Sequence, residues 1–282
     1  QTFGSAAHPV TSVALQGGSN GVGKSTAVAN LAALLARKGR EVLIVDENAS
    51  TVAGYFGASV DFTLQQVIQR EKRLAEVIVT LATGIRLLPT AGVTTQLAAL
   101  NEAEQRILLR SLADLQPAVD VLLVDSTLDH PLGFSPLGLA ADEAVIVIAP
   151  QGPVITEAYA LIKKVSLGYA RRHFRILVNR TRSADEAQAI YRNIAEVTHG
   201  RGLARLDYAG HVPRDDRLHQ SSRLCQPVVC LFPESPAARA YQALAAELLA
   251  WPINHEVNGG LEQFMQQLLH LSQRIDPIAI HA

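Results

Sequence analysis

Residues 17–26 read Gly-Gly-Ser-Asn-Gly-Val-Gly-Lys-Ser-Thr, and this stretch decides the fold. It lies between an apolar run, Val10 to Leu15, and a run of helical character, Ala27 to Arg37. The order strand, glycine-rich loop, helix, with the spacing G-x-x-x-x-G-K-[ST], indicates a phosphate-binding loop. Glycines allow the backbone to turn its N–H groups, and the start of the next helix, toward phosphate oxygens. A glycine turn with a purely structural role is the alternative.

Each residue type in this loop suits contact with a nucleotide. Lys24 is expected to reach the β- and γ-phosphates, and the Ser25 hydroxyl is expected to bind Mg²⁺. The residues that we expect to contact the nucleotide are Gly18, Ser19, Asn20, Gly21, Val22, Gly23, Lys24, Ser25 and Thr26.

The composition narrows the class of protein. With 282 residues and 48% hydrophobic content, the chain is long enough for one large α/β domain or two small ones. Its 25 basic and 26 acidic residues nearly cancel, so nothing indicates direct binding to nucleic acid. No apolar run reaches the roughly 18 residues of a membrane-spanning helix, and no signal peptide is evident, so we expect a cytoplasmic protein. We interpret Cys225 and Cys230 as reduced thiols, with a disulfide or metal role as the alternative.

Strand-like and helix-like segments alternate along the chain. Strands are predicted at 10–15, 41–46, 85–89, 120–125, 143–149, 174–179 and 206–212, and helices at 27–37, 64–70, 102–115, 154–167, 183–197 and 235–249. This order predicts a three-layer α/β fold, with a mainly parallel sheet flanked by helices and ligands at the carboxyl ends of the strands. We assign residues 10–252 to this domain, 1–9 to a flexible arm and 253–282 to a C-terminal tail.

Polar side chains end three of the predicted strands. Asp46, Asp125 and Asn179 all fall at carboxyl ends, which predicts one composite site. Asp125 is expected to support Mg²⁺ through water, and Asp46 to polarise an attacking water, so that with Lys24 they would catalyse nucleotide hydrolysis. The alternative is that each acid only caps the helix that follows it.

Several segments resemble the MinD/ParA family of P-loop ATPases, and within it the flagellar number regulators of the FlhG/FleN type. The likeness spans roughly Val10 to Leu249. Segments 159–163 and 227–240 make it particular to the FlhG/FleN type. The other segments that carry it are 17–26, the strand end at Asp46, 121–125, 149–158, 177–186 and 206–215.

The resemblance implies an ATPase that uses ATP or ADP with Mg²⁺ and closes into a homodimer around ATP. It implies that Lys24, Ser25 and Thr26 hold phosphate and magnesium, that Asp46 orients water and that Asp125 supports the metal. It also implies that Asn179 reads the adenine edge and that the loop from Pro213 to Asp215 borders the base.

The resemblance also implies partners and a location. Family members contact the inner face of the cell membrane through a C-terminal amphipathic helix. They pair with the SRP-type GTPase FlhF, with flagellar switch components and with a flagellar transcription regulator. Related ATPases serve partitioning or cellulose synthesis, and the lack of a basic patch argues against DNA-dependent partitioning.

The chain departs from the family pattern near the expected chemistry. Ser19 replaces the signature lysine that crosses the dimer, and Asn20 replaces a glycine. Asn48 replaces the second acid of a D-x-D pattern, and Asp129 stands at a switch glycine. A missing cation weakens stabilisation of phosphate charge. We therefore expect nucleotide binding with weakened hydrolysis and a weakened ATP dimer, and the alternative is a catalytically silent scaffold.

The tail contains a predicted amphipathic helix at 261–275, with glutamine and serine opposite its apolar face. Docking of this face on the protein itself or on a partner is one interpretation. Reversible membrane contact is the other, although the helix offers only Arg274 as a cation. The apolar face comprises Leu261, Phe264, Met265, Leu268, Leu271 and Ile275.

Overall fold

The computed structural model describes residues 10–48, 51–130, 132–251 and 260–274. The predicted arm at 1–9 and the tail segments 253–259 and 275–282 lie outside these residues. Within the described ranges the fold has eight strands and thirteen helices. The alternation predicted from the sequence is therefore confirmed.

The strands and helices begin and end as follows. The strands are β1 (Thr11–Gln16), β2 (Val42–Asp46), β3 (Val79–Ala82), β4 (Ile85–Pro89), β5 (Val121–Asp125), β6 (Glu143–Ile148), β7 (His173–Thr181) and β8 (Arg205–Pro213). The helices are α1 (Lys24–Arg37), α2 (Thr51–Gly54), α3 (Leu64–Ile68), α4 (Leu74–Val77), α5 (Thr94–Leu97), α6 (Glu102–Ala113), α7 (Pro136–Ala140), α8 (Gly152–Tyr169), α9 (Ala184–Gly200), α10 (Asp216–Arg223), α11 (Val228–Leu231), α12 (Pro236–Ala250) and α13 (Leu261–Arg274).

One eight-stranded sheet organises the molecule, in the order β3-β4-β2-β5-β1-β6-β7-β8. All pairs are parallel except the edge pair β3–β4. The central strands are buried on both faces, as their continuous apolar sequences require. Because the chain order reverses at β1, the loop after β1 lies where parallel sheets bind ligands.

Side chains alternate between the two faces of this sheet. Val13 and Leu15 point to the face covered by α1, α11 and α12, whereas Ala14 points to the opposite face. That opposite face is covered by α6, α7 and α13 near β5, and by α8 and α9 near β6 and β7. The predicted three-layer architecture is confirmed.

Helix α13 packs on the rest of the chain, against α5, α6 and α7. Leu261, Phe264, Met265, Leu268 and Leu269 are buried within the core cluster on that face. The structure thus agrees with docking on the protein itself. Ser272, expected on the polar side, is buried instead. None of the described helices is long and apolar enough to cross a bilayer.

The sequence analysis overlooked the short elements. β3 pairs antiparallel at the sheet edge and alternates between half-buried and exposed residues, so it lacks the apolar run of the other strands. α7 spans only five residues and is defined by its Ser135 N-cap and Pro136. Such elements form because of tertiary contacts, and local periodicity does not reveal them.

Candidate functional site

The loop between β1 and α1 depends on its glycines. Gly23 has a φ of 102°, in the left-handed region, and ends the loop at the N-terminus of α1. A Cβ on Gly23 would lie 2.2 Å from Nδ2 of Asn179, and a Cβ on Gly18 would lie 2.2 Å from the carbonyl carbon of Glu157. Both positions therefore exclude any side chain. The strand–loop–helix arrangement predicted for residues 17–26 is present.

Lys24 lies at the first turn of α1 and is 7% exposed. Burial lowers the pKa of its ammonium group. The nearby carboxylates of Asp125, Asp129 and Glu47 oppose this shift. The loop therefore presents one buried cation to a group of acids.

Asp46 and Asp125 are in-register partners at the ends of the neighbouring strands β2 and β5. Burial, and next the charge of Asp125, raises the pKa of Asp46, and burial also raises the pKa of Asp125. Oδ1 of Asp46 accepts a hydrogen bond from the amide of Asn48 at 2.8 Å. The strand ends thus bring together two acids that resist ionisation.

Asp125 has the chemistry of a cation ligand. It is fully buried, and among the described residues neither carboxylate oxygen has a hydrogen bond of ordinary distance and angle, although the side chains of Ser25 and Asn48 lie near enough to lower its pKa. Ser25 and Lys24 lie close enough to oppose the rise in its pKa. Buried carboxylates are normally paired or bound to metal. The residues present therefore fit Mg²⁺, which the Ser25 hydroxyl would bind directly and Asp125 through water.

Glu47 is a site residue that the sequence analysis missed. It is 7% exposed, and its Oε2 accepts a hydrogen bond from the amide of Thr127 at 3.0 Å. Burial raises its pKa to about 7, and the Ser135 hydroxyl and the Thr127 amide oppose the rise. Although Asn48 replaces one acid, Glu47 supplies another carboxylate. Its sequence position beside Asp46 was the only available signal.

Ser19 and Asp129, the two main departures from the family pattern, lie in different parts of the site. The Ser19 hydroxyl donates to the carboxylate of Glu157 in the second turn of α8. Asp129 is exposed, and its amide donates to the Thr127 hydroxyl at 3.1 Å. Ser19 is therefore engaged within its own chain, and Asp129 places a negative charge at the edge of the site near Lys24.

Asn179, near the end of β7, is hydrogen-bonded to the phosphate loop. Its Nδ2 donates to the Val22 carbonyl at 2.7 Å, and its Oδ1 accepts from the amide of Arg180 at 2.9 Å. Arg180 has a left-handed φ of 59° and donates from Nη2 to the Gly21 carbonyl at 2.7 Å. Arg180 is a second cation at the loop, and its position directly after Asn179 was a usable signal.

The segment from Pro213 to Asp215 begins at the last residue of β8, beside this region. Thr181 of β7 is the register partner of Pro213. Asp215 caps two helices, because Oδ1 accepts from the amide of Arg217 at 2.8 Å and Oδ2 accepts from the amide of Ala237 at 2.9 Å. Contact of Asn179, Pro213 and Asp215 with an adenine base stays a prediction.

Comparisons with known proteins agree with this geometry. The family model of the CobQ/CobB/MinD/ParA nucleotide binding domain matches residues 13–228. The antiactivator FleN of Pseudomonas aeruginosa is 31% identical over 264 residues, covering 93% of this chain and 94% of FleN. The flagellum site-determining protein YlxH of Helicobacter pylori is 25% identical, covering 91% of this chain and 89% of YlxH. The structure of MinD from Pyrococcus horikoshii with Mg-ADP has a TM-score of 0.64 and 22% identity, covering 88% of this chain and 100% of that one.

Proposed function

Because the chain belongs to the CobQ/CobB/MinD/ParA nucleotide-binding family, we propose that it binds ATP and ADP with Mg²⁺ and regulates flagellar number or placement. The buried carboxylate of Asp125, beside Lys24 and Ser25 at the phosphate loop, carries the nucleotide-binding part of this proposal. Similarity to FleN and YlxH supports the flagellar part.

Different groups of the phosphate loop would bind different parts of the nucleotide. The amides from Gly18 to Thr26 and the N-terminus of α1 hold the phosphates, and Lys24 neutralises their charge. The Ser25 hydroxyl would hold Mg²⁺ directly and Asp125 would hold it through water, and the ion would supply positive charge beside the phosphates. Asp46 would orient a water molecule, and a cation beside Asp125 would favour the ionised form of Asp46. Asn179, Pro213 and Asp215 border the base.

Partners would respond to the bound nucleotide. The partners that we propose are a second copy of this chain, an FlhF-type GTPase, flagellar switch components and a flagellar transcription regulator. Membrane contact through α13 requires the helix to leave its place on α5, α6 and α7, since its apolar residues are buried there. The proposed location is the cytoplasm, with peripheral contact at the inner face of the membrane.

Isothermal titration with ATP and ADP, with Mg²⁺ or with EDTA, tests nucleotide binding. We expect binding that Lys24→Ala abolishes, and the exposed Lys38→Ala serves as the matched control. Absence of binding of both nucleotides at millimolar concentration would contradict the proposal. Flagella are then counted in a strain lacking the gene, complemented with the wild type or Lys24→Ala. Identical counts in all strains would exclude the flagellar role.

A catalytically silent nucleotide-binding scaffold is the second candidate. The engagement of Ser19 with Glu157, and the negative charge of Asp129 near Lys24, favour it. A steady-state phosphate-release assay with anionic vesicles separates the two candidates. Turnover that Asp46→Asn abolishes supports an ATPase, whereas nucleotide binding without turnover supports the scaffold.

A further inference from the structure

A second concave site lies on the face of the sheet that carries α1. It is a groove of about 690 Å³. The second half of α1, the turn after α2, the β3–β4 turn and the link between α10 and α11 enclose it. This volume is within the range of about 300–1,000 Å³ that small-molecule sites occupy. The groove is therefore large enough for an organic ligand.

The lining of this groove combines apolar walls with one cation. Phe56, Ile85 and Leu224 provide apolar surface, and Leu224 is 54% exposed. Arg37 is the one charged residue of the lining, and it forms no ion pair with any residue that the structure describes. Its Nη1 donates to the Val229 carbonyl at 2.8 Å, which fixes the guanidinium at the rim. Such a lining complements an apolar body that carries an anionic group.

Tyr55 connects this groove with the phosphate loop. Tyr55 lines the groove, and its hydroxyl lies 2.7 Å from Oγ1 of Thr26. Thr26 directly follows Ser25 in the loop. The same hydroxyl lies 3.3 Å from Oγ of Ser222 on α10. A ligand that displaces the Tyr55 ring would therefore disturb a hydrogen bond at the end of the nucleotide site.

We propose that this groove binds a free small amphiphilic anion, with an aromatic or aliphatic body and one acidic group, and that Tyr55 couples its occupancy to nucleotide binding. The binding step is independent of the proposed function. The coupling step rests on nucleotide binding at the loop. Coupling of this kind is reciprocal, so each ligand changes the affinity of the other by the same factor.

Two cysteines of the chain can report whether a ligand occupies the groove. Cys225 and Cys230 are its only cysteines, both are free and exposed, and both line the groove. Alkylation by neutral iodoacetamide, followed by mass spectrometry, therefore measures access to this groove and to no other site. The probe is 8-anilinonaphthalene-1-sulfonate, an aromatic body with one anion. N-phenyl-1-naphthylamine is the matched neutral probe.

We expect the sulfonate to slow alkylation of both cysteines, and the neutral probe to require about tenfold higher concentration for equal protection. Arg37→Gln should remove this preference for the anion, while Arg40→Gln, an exposed arginine outside the lining, should not. Circular dichroism checks that both variants fold. Absence of protection, equal protection by the two probes, or protection only by phosphatidylglycerol vesicles would overturn the binding proposal.

Titration of Mg-ADP with and without saturating sulfonate probe tests the coupling. We expect a change in affinity of about fivefold or more in the wild type. Tyr55→Phe should abolish the change but retain protection of the cysteines, because it removes only the hydroxyl that contacts Thr26. An unchanged affinity in the wild type would overturn the coupling. Failure of Mg-ADP to bind at all would instead contradict the proposed function, and the alkylation result would still decide the groove.

Discussion

Leu268→Ala is expected to destabilise the folded chain by about 2–5 kcal/mol. Leu268 is 0% exposed on α13, where Phe264 and Met265 share the buried face. Truncation removes buried methyl groups and leaves a cavity, and the two effects add. If α13 instead lay free in water, alanine would cost little, because it favours helix slightly more than leucine does. The size of the effect therefore shows whether the tail is part of the core.

Urea unfolding of the full chain, without nucleotide or lipid, measures this effect. The midpoint should fall while the slope against denaturant stays constant, since the unfolded surface hardly changes. Gln267→Ala, an exposed neighbour on the same helix, is the control, with an expected change within about 0.5 kcal/mol. Equal midpoints for the two variants would refute docking of α13 on its own protein.

Three further variants test the site. Gly23→Ala should abolish nucleotide binding in calorimetry, because its Cβ would lie 2.2 Å from Nδ2 of Asn179 and its φ is 102°. Glu47 has a folded pKa of about 7 against an ordinary value of 4.5, so the wild type loses stability as pH rises through this window, by up to about 3 kcal/mol. Urea unfolding of Glu47→Gln, which has no such carboxyl, should show stability rising relative to the wild type between pH 4.5 and 7, and the exposed Glu247→Gln is the control variant. In urea unfolding at pH 8, Asp125→Asn should stabilise the nucleotide-free chain, because burial raises the pKa of this carboxyl and the ionised form is costly there. Calorimetry of the same variant should show that Mg²⁺ no longer strengthens nucleotide binding.

The sheet was predictable because its central strands carry their own signal. Segments such as Val42–Asp46 and Val121–Asp125 are continuous apolar runs ending in an acid, and burial on both faces requires such runs. The loop was predictable for a similar local reason, since glycine spacing and Lys24 are read directly from the sequence. Local patterns therefore identified the strand ends and the phosphate loop.

The remaining features depend on residues far apart in the chain. Glu47 joins the site because it meets Thr127 across two strand ends, and no periodicity reports that contact. Docking of α13 depends on the face formed by α5, α6 and α7, so the amphipathic sequence alone left membrane contact open. The absence of an acid at Asn48 likewise stays a prediction from the resemblance, whereas the neighbouring carboxylate of Glu47 is seen only in the folded chain.

The charges in the site explain why the metal and the nucleotide should bind together. Glu47 and Asp125 lie near one buried cation, Lys24, Asp46 lies beside Asp125, and the pKa of each of these acids is raised chiefly by burial. A phosphate chain without a metal would raise the pKa of these acids further, so its binding would require the ionised fraction to take up protons. Ser19 contributes no cation to offset this charge. With a serine at position 19 and a third buried acid at Glu47, we expect nucleotide affinity to depend strongly on a divalent cation.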